Sequence, residues 1–102
     1  ASTRIEIRTP DSACNPYLAF AVIISAGLAG VEGKYELTEN SNPAPLPTDL
    51  AEAITAMEKS ELVKKTLGSD VFEYVLLNKR AEWDEYRKQV SAFELNRYLP
   101  VL

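Results

Sequence analysis

The chain has 102 residues, 46% of them hydrophobic and 25% charged, with a net charge of -4 and a sequence pI of about 4.8. That length suits one domain with a single core, and a mildly acidic chain without a basic run argues against nucleic-acid or anionic-membrane binding. With no histidine and one cysteine, the chain holds no Ser-His-Asp or Cys-His pair, no intrachain disulfide and no ordinary zinc quartet.

The opening Thr-Arg-Ile-Glu-Ile-Arg-Thr-Pro alternates Arg4, Glu6 and Arg8 with Ile5 and Ile7. Side chains of an extended chain point to alternate faces, so this spacing predicts a short strand with three charges about 7 Å apart on one face. A carboxylate between two guanidinium groups suits a divalent cation beside anionic oxygens, because the planar arginine fork grips carboxylate or phosphate. The competing reading is an ordinary strand with a solvated face.

A turn at Pro10 and Asp11 leads to Asn15-Pro16-Tyr17 and an apolar run to Val31, with no charge from Ser12 to Val31. Pro16 fits the first turn of a helix, and Gly33 is placed to end it after Glu32. About 16 residues at 1.5 Å each give roughly 24 Å, short of a bilayer's hydrocarbon, so a central buried helix is expected rather than a membrane span. Cys14, without a histidine to make its thiolate, is expected to be a small buried or half-buried residue. The first residue is Ala rather than Met, which suggests processing or excision.

From Asn40 to Pro47 three prolines at alternate positions predict a stiff extended connector. Beyond it, Thr48 is the expected N-cap of a helix to about Lys59, with Leu50, Ile54 and Met57 on its buried side. Ser60 and Glu61 open a short helix stopped by Gly68. Ser69 and Asp70 begin the longest one, to about Val90, with Phe72, Val75, Leu76, Trp83, Tyr86 and Val90 as its apolar stripe. Ser91 caps a last turn or two through Phe93 and Leu95 before Pro100. In the cluster from Lys79 to Lys88, Arg80 with Asp84 and Asp84 with Lys88 are four apart and form solvated mixed-sign pairs, while Trp83 is a core anchor.

The string Arg-Ile-Glu-Ile-Arg-Thr-Pro-Asp, then Ala-Cys-Asn-Pro-Tyr-Leu-Ala-Phe and Ala-Gly-Leu-Ala-Gly-Val, resembles the carboxy-terminal part of glutamine synthetase. The likeness continues at Met57-Glu58-Lys59-Ser60, at Asn78-Lys79-Arg80-Ala81-Glu82-Trp83 and from Phe93-Glu94-Leu95 to Leu102. The resemblance implies that Glu6 helps bind a catalytic divalent metal. It also implies that Arg8 faces the transferred phosphoryl group and the glutamate substrate, and that Arg4 lies near the nucleotide phosphates. The implied reaction is ATP-dependent joining of glutamate and ammonia through γ-glutamyl phosphate, with Mg²⁺ or Mn²⁺, in a cytoplasmic enzyme. Some bacterial relatives carry a regulatory tyrosine in a longer connector; Tyr35 sits too early to match it.

The expected fold is therefore mainly α, a small helical bundle with one short amino-terminal strand, drawn from the α+β catalytic domain of that family. Residues 1–33 form strand plus buried helix, 40–47 the connector and 48–102 the helical part. The family's other glutamates, histidine and nucleotide pocket precede this region. The chain alone is thus expected to be inactive, its strand to pair with another copy, fold back or fray, and its uncovered apolar surface to make it a homo-oligomer. Two alternatives stay open: a γ-glutamyl ligase that uses another amine, and a non-catalytic helical assembly module with a solvated charged strand.

Overall fold

The computed structural model describes residues 2–37 and 44–102, so half of the connector, residues 40–43 including Pro43, lies outside the described residues. The described residues form five α-helices: α1 (Pro16–Glu32), α2 (Leu50–Glu58), α3 (Glu61–Leu67), α4 (Ser69–Tyr86) and α5 (Ala92–Tyr98), followed by a 3-10 turn at Leu99–Val101. No strand occurs among the described residues. The mainly α class holds, but the expected amino-terminal strand does not form. Residues 2–9 have no hydrogen-bonded neighbour, and a ladder needs a second chain segment to receive its N–H and C=O groups.

Each helix begins where the local chemistry requires. The Asn15 side chain accepts the backbone N–H groups of Tyr17 and Leu18 at 3.0 and 3.3 Å, with Pro16 in the first turn. At the other end of α1, the N–H of Lys34 donates to Val31 and that of Tyr35 to Gly30. Lys34 (φ 49°) is therefore the left-handed residue of this stop, not Gly33. Gly33 serves a different need: a Cβ there would lie 2.6 Å from Cε1 of Tyr35, whose ring folds back over the helix end.

The N-cap of α2 is Asp49 rather than the expected Thr48. Asp49 accepts the N–H of Glu52 at 2.8 Å, while Glu52 reaches back to the N–H and hydroxyl of Thr48 at 2.8 and 2.9 Å. Ser60 caps α3, as the sequence predicts. Gly68 then serves both as the last cap of α3 and the first of α4, with φ 75° and ψ 157°. Non-glycine residues scarcely populate that region, and a Cβ would meet nothing within 4 Å, so the constraint is wholly in the backbone. Gly68→Ala is expected to cost about 1–3 kcal/mol by loosening the α3–α4 corner, measured as a lowered urea midpoint.

Helix α4 stops at Tyr86, four residues before the expected end. Ser91 must be extended to cap α5, and Val90 is exposed with nothing to reward further helix. The cap of α5 is reciprocal: Ser91 Oγ accepts the N–H of Glu94 at 3.2 Å, and Glu94 accepts both the backbone N–H and the hydroxyl of Ser91 at 2.7 Å. The Ser91 backbone N–H first, and its hydroxyl second, hold the Glu94 carboxyl below the usual carboxylate range. A folded-state pKa lowered in this way gives helix stabilisation that is present above the unfolded value and is lost as pH falls through the folded one. The amide protection factors of α5, measured relative to intrinsic exchange at each pH, are expected to fall on acidification in the carboxylate range, and Ser91→Ala should flatten that response.

Helix α3 is central: α1 packs on it, and it packs on α4, which also carries α2. Phe72 and Leu76 of α4 are the buried hydrophobics, at 3% and 2% exposure. Leu50, Ile54, Met57, Val75 and Trp83 are half-buried, while Tyr86 is exposed. A link between α2 and α4 comes from Arg80 of α4, which donates to Glu58. That pair, with Lys79–Glu82 and Arg87–Asp84, replaces the expected Arg80–Asp84 and Asp84–Lys88 pairs. Acid groups three residues away, or on the facing helix, lie within reach of these cations in the rotamers adopted.

The expectation of a buried α1 is not met within this chain. One side of the helix, including Leu18, Ala19, Val22 and Ile23, turns inward, but Tyr17, Phe20, Ile24, Leu28 and Val31 form an exposed stripe. A helix apolar all round requires cover on both sides, and here one side has it. No helix of the described residues is long and apolar enough to cross a membrane.

Candidate functional site

The charged row sits on the extended segment that leads into α1. Its exit is fixed by a turn in which Asp11 accepts the N–H of Ala13 through its side chain at 2.7 Å and the N–H of Cys14 through its carbonyl at 3.1 Å. Pro10 and the Asn15 cap bracket this turn, so the segment is joined to a firm helix start by a short, hydrogen-bonded corner.

Glu6 and Arg8, two residues apart, meet: Arg8 Nε donates to Glu6 Oε1 at 2.6 Å. The period-two reading thus brings these two side chains together even without a sheet. Their side chains are 56% and 87% exposed, so the pair contributes about 0–1 kcal/mol and is readily exchanged for other partners. Arg4 is exposed and makes no ion pair among the described residues.

Whether these residues fit a divalent cation follows from the donor set. Glu6 offers one hard carboxylate, and the described residues contain no group of three or more potential metal ligands. A Mg²⁺ ion demands near-octahedral oxygen coordination, so one carboxylate shared with a guanidinium does not make a metal site on its own. The row has the right chemistry for part of such a site and too few ligands for all of it.

An open groove of about 920 Å³ lies elsewhere, between the turn at residues 10–15 and helices α1 to α4. Its walls are mostly apolar, with Leu18, Val22, Met57, Leu67 and Val75 among them, and Asn15, Asn78 and Lys79 bring polar groups to it. None of Arg4, Glu6 and Arg8 lines it. Lys79, the first residue of the cluster expected on a solvated face, borders this groove together with Asn78; their helical spacing from Val71 and Val75 on α4 is the signal that places them there. Cys14 borders it too and is exposed, contrary to the buried or half-buried position expected for it. The Asp11 turn points it outward at the helix start, and no element of the described chain covers it.

The family profile described as "Glutamine synthetase, catalytic domain" matches residues 1–98. Among curated relatives, the glutamine synthetase of Mycolicibacterium smegmatis is 48% identical over 114 positions, covering 97% of this chain and 26% of the relative. That of Mycobacterium tuberculosis is 47% identical with the same coverage, and that of Methanosarcina mazei is 45% identical, covering 98% of this chain and 26% of the relative. The chain thus spans about a quarter of the length of the curated relatives it matches. The M. smegmatis match is longer than the 102 residues of the chain, so that relative carries residues within the matched span that this chain lacks. With nearly every residue from the charged row to Tyr98 inside one profile, the chain belongs to the glutamine synthetase catalytic-domain family.

Proposed function

We propose that this chain forms the carboxy-terminal part of the catalytic domain of an ATP-dependent glutamate–ammonia ligase, in which residues 2–9 become a strand of the active-site sheet. The observation that carries this reading is the Arg4–Glu6–Arg8 row inside the family match, with Glu6 and Arg8 already paired at 2.6 Å. Such a ligase makes glutamine through γ-glutamyl phosphate, using ATP and Mg²⁺ or Mn²⁺ together with glutamate and ammonia in the cytoplasm.

In this reading Arg8 turns its fork from Glu6 to the oxygens of the phosphoryl group in flight, where a fixed cation offsets charge that builds up during transfer. Glu6 is released to serve as one oxygen ligand of the divalent cation, the remaining ligands coming from outside these residues. Arg4 attracts the nucleotide phosphates. The weakness of the exposed Glu6–Arg8 pair is an asset here, because exchanging it costs little. The organisation into residues 1–33, 40–47 and 48–102 follows the same division of labour: the first part bears the row and its supporting helix, the second joins, and the third buttresses.

Because the ligand set is incomplete, the chain alone is expected to show no turnover with glutamate, ATP, Mg²⁺ and ammonia. Enzyme-like turnover by the isolated polypeptide would overturn the proposal that its site is one wall of a larger pocket. The uncovered α1 stripe should also make the isolated chain self-associate, seen as a mass above that of one 11.3 kDa chain in light scattering. A clean monomer at high concentration contradicts that.

A further inference from the structure

We propose that the groove between the turn at residues 10–15 and helices α1 to α4 binds a free medium-chain fatty acid, with its aliphatic tail along α4 and its carboxylate at Asn78 and Lys79. Neither the Arg4–Glu6–Arg8 row nor the outer stripe of α1 lines this groove, so the site is separate from the charged row and from the surface expected to self-associate.

Helix α4 sets the shape of the ligand. Val71, Tyr74, Val75, Asn78 and Lys79 all line the groove, and residues three and four apart share one side of a helix. This strip begins apolar at Val71 and ends polar at Asn78 and Lys79. Over those eight steps of 1.5 Å the helix rises about 12 Å, which an extended chain of about ten carbons matches. The other walls bring Leu18, Val22 and Ile23 from α1 and Met57 from α2, flexible or branched aliphatic groups that suit methylenes better than a flat ring. A volume of about 920 Å³ falls within the roughly 300–1,000 Å³ usual for small-molecule sites, which are mostly apolar with a few polar groups that fix orientation.

Charge decides the head group. The chain carries 15 acidic residues against 11 basic ones, yet among the described residues no Asp or Glu lines the groove and one Lys does. Lys79 is half-buried, and its ammonium donates at 2.6 Å to Glu82, which stands outside the lining. Both of these side chains remain partly exposed, so the pair is readily exchanged. An ammonium has three donors and can also serve a second carboxylate, while the Asn78 amide adds two more. A cationic head would face the like charge of Lys79, and a neutral one would forgo the charge-assisted bond.

Cys14 borders the groove, is exposed and is the one cysteine of the chain, so its thiol reports occupancy. The probe is sodium decanoate below its micelle concentration, and the measurement is the rate at which iodoacetamide alkylates Cys14 in the 102-residue chain. Saturating decanoate is expected to slow alkylation at least tenfold with far-UV circular dichroism unchanged, whereas decylammonium should give no protection. Lys79→Gln should raise the half-protecting decanoate concentration about tenfold and leave that of decanol unchanged, the loss usual for a hydrogen bond to a charged group. Val22→Trp should fill the groove and abolish protection, as should Met57→Trp from another wall; Lys79→Gln, at a partly exposed position, carries the test if neither of these folds. Unchanged alkylation throughout the submicellar range overturns the proposal. Equal protection by decanoate, decanol and decylammonium also overturns it, since that marks a merely apolar surface. Protection that grows with chain concentration and needs no decanoate identifies the groove as an interface between copies and overturns it likewise.

Discussion

Phe72→Ala is expected to remove about 3–5 kcal/mol of stability, and Leu76→Ala about 2–5 kcal/mol, the range for emptying a buried aromatic or leucine site. These two side chains lie one turn apart on α4, where α2 and α3 both pack. Phe72 also has the Lys64 ammonium 6.0 Å from its ring centre, a contact that adds a fraction of a kcal/mol at this exposed edge. Whole domains are stable by about 5–15 kcal/mol, and one with so small a core belongs at the low end. Either substitution should therefore abolish the cooperative thermal transition followed at 222 nm. Tyr86→Ala, on the same predicted stripe but exposed, should shift stability by about 0.5 kcal/mol or less. If Tyr86→Ala proved as damaging as Phe72→Ala, the core would not lie where the buried residues place it.

The contrast between Phe72 and Tyr86 shows what a single sequence can disclose. Helix starts were legible because each depends on two or three adjacent residues: Asn15-Pro16, Ser60 and Ser91 all act at the positions expected of them. The Thr48–Asp49 start differs from its expected position by one residue, since both side chains can cap and only the backbone geometry decides between them. Burial was less legible, because it depends on distant segments. Tyr86 and Val90 continue the helical period of Phe72 and Leu76, yet the period says only which side of a helix a residue occupies, not whether another element reaches it. The amino-terminal strand failed for the same reason: alternation in residues 4–8 gives a strand's pattern, but a strand needs a neighbour to form its ladder. Of the site, the shared face of Glu6 and Arg8 is readable from their spacing, whereas their direct ion pair is not, because it depends on the rotamers adopted. The groove bordered by Asn78 and Lys79 was not, because its walls come from four helices whose packing no local pattern encodes.

In the continuous ligase, Arg8→Ala is expected to lower kcat by about 10²–10³-fold, the usual loss when one fixed charge donor to a developing oxyanion is removed. Arg8→Lys should recover little of this, since an ammonium cannot reproduce two parallel N–H donors held in a plane. Glu6→Ala should act differently, moving the Mg²⁺ dependence of the rate to concentrations roughly 10–100-fold higher, as loss of a group that supports a bound metal does. Neither change should alter the fold, because both side chains are exposed and their mutual pair contributes about 0–1 kcal/mol. That separation makes the experiment decisive between the two readings of the row. A solvated strand face predicts unchanged thermal midpoints and unchanged kinetics; a wall of the phosphoryl-transfer pocket predicts unchanged midpoints with large, distinct kinetic losses, one in kcat and the other in metal dependence. The double variant sharpens this further, for residues that serve one transition state lose their effects together, so the combined loss should fall short of the product of the two single losses. Full synthetase turnover in that double variant would remove Glu6 and Arg8 from the pocket and leave the row with no more than an exposed ion pair.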